Sequence, residues 1–166
     1  MKRTLFIILF IVFCCFQIAY AEEKIVASSP TGDSELDKSL EVLNETAKSN
    51  VRDFSKKLSR KYNIPEETTD WLLKKVGMSP GDAYMTAKVS KASNQPVEEV
   101  VKEYEANKGK GWGVIAKKLG IKPGSKEFHE LKKDDSGLLN EYKTKGKKGK
   151  AKGKKDKDKG KKGKDK

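Results

Sequence analysis

Residues 71–82, WLLKKVGMSPGD, and residues 114–125, VIAKKLGIKPGS, align over twelve positions at an offset of 43. No other feature of the chain restricts its fold as tightly. Lys74-Lys75 match Lys117-Lys118, Val76 matches Leu119, Gly77 matches Gly120, Met78 matches Ile121, and Pro80-Gly81 match Pro123-Gly124. The match runs through a turn in which each residue type has a mechanical task. Gly77 and Gly120 fall just past a helix, where the left-handed conformation costs glycine nothing. Met78 and Ile121 are expected to fold back onto the last helical turn, and Asp82 and Ser125 to cap the next helix, with Ser79 before Pro80 as a competing cap in the first copy. Each copy therefore reads as a short helix, a Pro-Gly corner and a second helix, over about Asp82–Ala92 and Ser125–Lys133.

The flanking sequence is helical in spacing as well. Leu36, Leu40, Leu43, Ala47, Val51, Phe54 and Leu58 advance by fours and threes and predict one long helix, with Ser34 and Asp37 as an acidic capping box and Asn63 and Pro65 as its end. Its drift near 3.6 residues per turn favours packing onto neighbours over a coiled coil. Between the copies Pro96 opens a helix whose inner side is Val97, Val100, Val101 and Tyr104, with Glu98 and Glu99 in the first turn against the helix dipole. Trp71 and Tyr84 are expected to face the core. The fold class is all-α: a small bundle of five or six helices containing two related αα-hairpins near 66–92 and 109–133. The helical domain spans 33–133, a length sufficient for an independent core.

The ends have a different character. Lys2 and Arg3, the apolar run Leu5–Ile18 and the small-x-small triplet Ala19-Tyr20-Ala21 read as an export signal cleaved after Ala21. The run is 14 residues long, short of the roughly 20 that span a bilayer. Both cysteines, Cys14 and Cys15, lie within it, so the mature chain is expected to hold no disulfide, thiol nucleophile or Cys-ligated metal. Localisation is expected to be periplasmic, cell-surface or extracellular. Residues 22–32 read as a flexible lead-in and 134–142 as a linker. Residues 143–166 contain 14 Lys, five Gly and three Asp with no large apolar side chain, and read as a disordered tail. Of the net charge of +13, this tail carries +11 and the leader +2, which leaves residues 22–142 neutral.

The string at 112–133, WGVIAKKLGIKPGSKEFHELKK, resembles a helix-turn-helix: Ala116 and Gly120 have the spacing of its small helix residue and turn glycine, and Phe128 and Leu131 anchor the second helix. The resemblance implies DNA binding through Lys126, Glu127, His129, Glu130, Lys132 and Lys133. Against this stand the two glutamates, the lack of an arginine to read guanine, the longer turn at Lys122-Pro123-Gly124 and the export signal. Nucleic-acid binding through Trp112–Lys133, assisted by the tail, is the alternative function.

KGKGWG at 108–113 is neither a dinucleotide fingerprint nor a P-loop. Its modest form is an anion site at a helix start built from Lys108, Gly109, Lys110 and Gly111, weighed against a corner whose Trp112 packs inward. His129 is the only histidine and has no partner in sequence, and Glu66, Glu67, Glu98, Glu99 and Glu103 read as ordinary helix electrostatics. No catalytic residue, metal ligand or cofactor is expected. The tail lysines, Lys145, Lys147, Lys148, Lys150, Lys152, Lys154 and Lys155 among them, are expected to attract anionic polymers or membrane surfaces unspecifically and in a salt-sensitive way. The helical domain is left to contact an unknown protein or small ligand. The chain therefore reads as an exported, non-enzymatic binding or structural protein.

Overall fold

The computed structural model describes residues 28–133 and 137–144, which form eight helices and no strand. The expected leader, residues 22–27 and 134–136, and Lys145–Lys166 lie outside the described residues. The helices are α1 (Ser34–Lys48), α2 (Val51–Tyr62), α3 (Glu66–Lys74), α4 (Pro80–Ser93), α5 (Val97–Ala106), α6 (Trp112–Lys118), α7 (Lys126–Lys132) and α8 (138–144). The protein is all-α. None of these helices is long and apolar enough to cross a membrane.

Two local effects separate the eight helices from the five or six expected. The long first helix is broken at Ser49-Asn50. Both are residues whose side chains compete with the helical backbone for hydrogen bonds. Ser49 Oγ donates to Thr46 O at 2.7 Å, and Asn50 caps α2 by accepting from Asp53 N at 3.1 Å. The break restarts the helical phase, so Val51, expected on the buried stripe, is 37% exposed, while Phe54, Leu58 and Tyr62 are buried. At the front of α1 the cap is Asp33, which accepts from Glu35 N and Leu36 N, and not Ser34 with Asp37. Asp37 instead accepts from Thr31 N and Thr31 Oγ1.

The second addition is α8, which covers the end of the stretch read as a linker (134–142) and takes in Lys143 and Thr144, read as the start of the disordered tail. Leu138, Leu139 and Tyr142 are buried, and the Tyr142 ring meets Phe54 edge-on at 6.0 Å between centroids. Lys57 on α2 clamps it from outside, bridging Asp53 at 2.8 Å and Glu141 with its ammonium 5.5 Å from the Tyr142 ring.

The turns follow the chemistry of their residues closely. Gly77 has φ +74 and Gly120 φ +87, Met78 N donates back to Leu72 O and Ile121 N to Ala116 O, both at 3.0 Å, and Met78 and Ile121 are buried. Ser79 and Ser125 are the caps of the helices that follow, so Asp82 is not a cap but the third residue inside α4. Pro80, with its fixed φ, suits the first helical position and leaves the cap to Ser79.

At the centre lies α4, which packs against α1, α2, α3, α5, α6 and α7. Every residue from Gly81 to Val89 is buried, so the helix has no polar face from which its orientation could be read. Even Lys88 is 6% exposed; its aliphatic stem lies among core residues and its ammonium donates to Lys133 O at 2.6 Å, tying down the end of α7. Trp71, expected in the core, is half-buried at its edge, while Tyr84 and Trp112 are fully buried.

Leu139→Ala tests whether α8 belongs to the core. Urea unfolding should show a loss of about 2–5 kcal/mol, the usual cost of truncating a buried leucine. A change below about 0.5 kcal/mol, typical of a surface substitution, would detach α8 from the folded body.

Candidate functional site

The most chemically loaded position among the described residues is Asp82, which is 0% exposed and has no cationic side chain among its hydrogen-bond partners. A carboxylate is an acceptor only, with about four lone-pair positions, and each is filled here by a neutral donor. Oδ1 accepts from Trp112 Nε1 at 3.0 Å and from Ser29 N at 2.9 Å. Oδ2 accepts from Ser79 Oγ at 2.9 Å and from Tyr104 OH at 3.2 Å. The donors come from α6, the segment before α1, the cap of α4, and α5. One side chain therefore fixes where four parts of the chain meet.

The hydroxyl directions follow from counting hydrogens. The only proton of Ser79 Oγ goes to Asp82, while Asp82 N donates back to the same oxygen at 3.0 Å. Ser28 Oγ, 3.0 Å from Ser79 Oγ, must then be the donor of that pair. Ser28 in turn accepts from Asn44 Nδ2 at 2.9 Å, and Asn44 Oδ1 accepts from Gly81 N at 2.7 Å. The result is a one-way relay from Gly81 through Asn44, Ser28 and Ser79 to the carboxylate. Chains of this kind polarise each link in the same sense.

Tyr104 and Trp112 stack over this network with centroids 5.5 Å apart and planes at 27°. Burial first, and then the negative charge of Asp82, push the Tyr104 phenol up to about 12. On α8, burial and then Asp53 raise Tyr142 to about 12 as well.

The segment carrying Ser28 and Ser29 runs across the ends of α4 and α6. Pro30 O accepts from Trp112 N at 2.8 Å. A Cβ on Gly81 would lie 2.1 Å from Ser28 Oγ, and one on Gly111 2.8 Å from Pro30 O. Both glycines are therefore needed for this strap, read from sequence as part of a flexible lead-in, to approach so closely.

The residues singled out from sequence lie elsewhere or beside this centre. Lys108, Gly109 and Lys110 are exposed and Gly111 is buried under Pro30. The amide of Trp112, which an anion at this helix start would use, is taken by the Pro30 carbonyl. Seven residues, 119–125, separate α6 from α7, whose exposed surface presents Lys126, Glu127, His129, Glu130 and Lys132, with Lys133 just after it. The Glu127 carboxyl lies below its usual range, chiefly through its own backbone amide and then Ser125. Phe128 is half-buried and Leu131 buried, as anchors of α7. Glu99 pairs with Lys102 at 2.5 Å, and Glu103 accepts from Asn107 Nδ2 at 3.0 Å. Among the described residues no three His, Cys, Asp or Glu side chains come close enough to hold a metal. An open cleft beside the stack, between Leu36, Met85, Trp112, Phe128 and Leu131, has room for about one water molecule.

Sequence reasoning named Asp82 only as a cap. The available signal was Ser79 followed three residues later by an acid, the reciprocal capping pattern, with two large polar aromatics downstream that needed partners once buried. With its acceptor positions filled by donors from four parts of the chain, Asp82 is a staple of the fold.

Because Tyr104 ionises higher in the folded chain than its ordinary value of 10, its neutral form contributes stability that is complete below pH 10 and lost as pH rises through about 12. Urea midpoints at pH 8 and pH 11 should fall further for the native chain than for Tyr104→Phe, which keeps Tyr142; equal falls would mean that the Tyr104 phenol is not held by the network. No known protein family, no curated protein and no solved structure matches this chain.

Proposed function

We propose that the chain is an exported, non-enzymatic binding or structural protein in which lysine-rich residues 143–166 associate with anionic surfaces or polymers while the helical body contacts a partner. The observation that carries this reading is the separation of charge along the sequence: +11 in the last 24 residues against a neutral 22–142. So dense a run of cations attracts polyanions by releasing their counterions. Glycine, not an aromatic residue, spaces the lysines, so stacking on bases or sugars is not expected and the attraction is unspecific. The position of α8 supports the coupling of the two parts. Lys145 follows directly on a helix whose Leu138, Leu139 and Tyr142 are buried, so attraction at the tail acts on the body without a long tether.

Within the body we read α3–α4 and α6–α7 as two copies of one αα-hairpin unit. Paired left-handed glycines, buried Met78 and Ile121, and serine caps at Ser79 and Ser125 support that relation. Nucleic-acid recognition by Trp112–Lys133 has less support, because Glu127 and Glu130 stand on the exposed surface of α7 and would face phosphate.

The test compares binding of heparin and duplex DNA by the full chain and by a chain ending at Thr144, which keeps α8. For the full chain, log affinity should fall roughly linearly with log salt, by about 10³-fold between roughly 50 and 200 mM, and the shortened chain should lose binding to both polymers. Duplex binding by the shortened chain that persists at high salt would replace this reading with recognition by the α6–α7 pair.

A further inference from the structure

We infer that the outer face of α2 is the body's own contact for the polyanion that the lysine-rich sequence attracts, and that the polyanion it fits is a single chain of acidic polysaccharide. The inference rests on the tail's role in the reading above and adds to it a defined surface on the folded part. Over Val51–Tyr62 the helix carries five cations and one acid, a net +4, so the remainder of the neutral 22–142 sums to −4. Burial of Phe54, Ser55, Leu58 and Tyr62 turns Arg52, Lys56 and Arg60 outward. These three recur every fourth residue and form a line along the helix about 12 Å long, with Lys56 midway. Among the described residues none of the three takes part in an ion pair, whereas Lys57 on the same helix bridges Asp53 and Glu141. Like charges four residues apart destabilise a helix, and an anion laid along them relieves that repulsion. Arg52 and Arg60 are also the two arginines of the chain beyond its leader, in a sequence that otherwise uses lysine. A guanidinium offers the paired oxygens of an oxoanion a planar fork, which an ammonium does not.

The line of cations and the tail lie on one path. Along α2, α8 packs in the opposite sense: a Cβ on Gly137 would lie 3.4 Å from Lys61 Nζ, Glu141 pairs with Lys57, and the Tyr142 ring meets Phe54 at 6.0 Å. The helix therefore ends at Thr144 toward the Arg52 end of the line, and Lys145 follows it in sequence. A polyanion held by the tail meets Arg52 at high effective concentration, so three charges too few to hold it alone add to the affinity of the whole. The flanks choose among polyanions. On one side stand Asp53 and Glu141, and on the other Asp70 of α3, which accepts from Ser55 at 2.8 Å and from Lys74 at 2.6 Å. With side chains 33%, 41% and 39% exposed, all three acids border the line at the surface. A bilayer or a duplex is broad and brings negative charge over these carboxylates, whereas a single polymer chain follows the line between them. Single-stranded nucleic acid relies on aromatic platforms for its bases, and among the described residues no aromatic side chain is exposed. A polysaccharide whose charges are carboxylates or sulfates needs only the cations.

The experiment compares two triple variants of the full chain by heparin calorimetry over a range of salt. One is Arg52→Gln with Lys56→Gln and Arg60→Gln. The other, Lys38→Gln with Lys117→Gln and Lys122→Gln, removes the same charge from exposed lysines elsewhere on the body. At roughly 100 mM salt the α2 variant should bind heparin at least about tenfold more weakly than the second, with a salt slope shallower by about two, the change expected for three contacts to a single-chain polyanion. Duplex DNA, and vesicles of phosphatidylserine and phosphatidylcholine in equal parts, should not distinguish the two variants. Equal losses of heparin binding overturn the inference, because the cations would then act through total charge alone. A larger loss for the α2 variant on duplex DNA or on vesicles than on heparin would give the line to that surface and overturn polysaccharide as its occupant. If the α2 variant fails to fold by circular dichroism, Arg60→Gln is set against Lys117→Gln, with a difference of about threefold expected and no difference overturning the inference. A full chain that binds no heparin, or a chain ending at Thr144 that keeps its affinity, refutes the tail's role. Equal losses in the two variants of a full chain that does bind refute the α2 contact alone.

Discussion

A carboxylate buried without a cation has to be surrounded by donors, and in this fold that requirement decides where separate helices meet. Asp82 sits in the first turn of the central helix α4 and draws its donors from Ser29, Ser79, Tyr104 and Trp112. The hydrophobic effect is non-directional, whereas an unmatched buried donor or acceptor costs about 1–3 kcal/mol. The network therefore sets the register of α5 and α6 on α4, and the core of Leu40, Leu43, Phe54, Leu58, Leu72 and Val89 supplies most of the burial. The same requirement orders the strap, whose Ser29 amide completes the set.

What was legible in the sequence is what depends on a few neighbouring residues. Gly77 and Gly120 stop helices because only glycine takes that backbone conformation freely, and Pro96 starts one whose Val97, Val100, Val101 and Tyr104 all turn inward. The all-helical class followed from spacing of this kind. What was not legible depends on distant residues or on weak local competition. Tyr104, Trp112 and Ser29 lie 22, 30 and 53 positions from Asp82, and no periodicity connects them. The break at Ser49-Asn50 turned on two side-chain hydrogen bonds inside an otherwise unbroken stripe. In α8 the apolar positions Leu138, Leu139 and Tyr142 stand between charged neighbours and a lysine run, so their short pattern was lost in the composition around them.

The functional account joins two parts of unlike physics. The body is neutral over residues 22–142 and held by directional bonds around one buried acid, whereas the lysines beyond it are proposed to act through long-range, screened attraction. The lysine-rich sequence follows on α8, which Lys57 and Phe54 hold to the body. In the proposed reading an anionic surface concentrates the body through the tail.

Asp82→Asn tests the central claim most directly, because it preserves side-chain shape and replaces one acceptor oxygen with a donor in a shell that consists of donors. Urea unfolding at neutral pH should show a loss of at least about 2 kcal/mol. A variant within about 0.5 kcal/mol of the native chain would contradict the account, since the carboxylate would then not be what holds these elements in place.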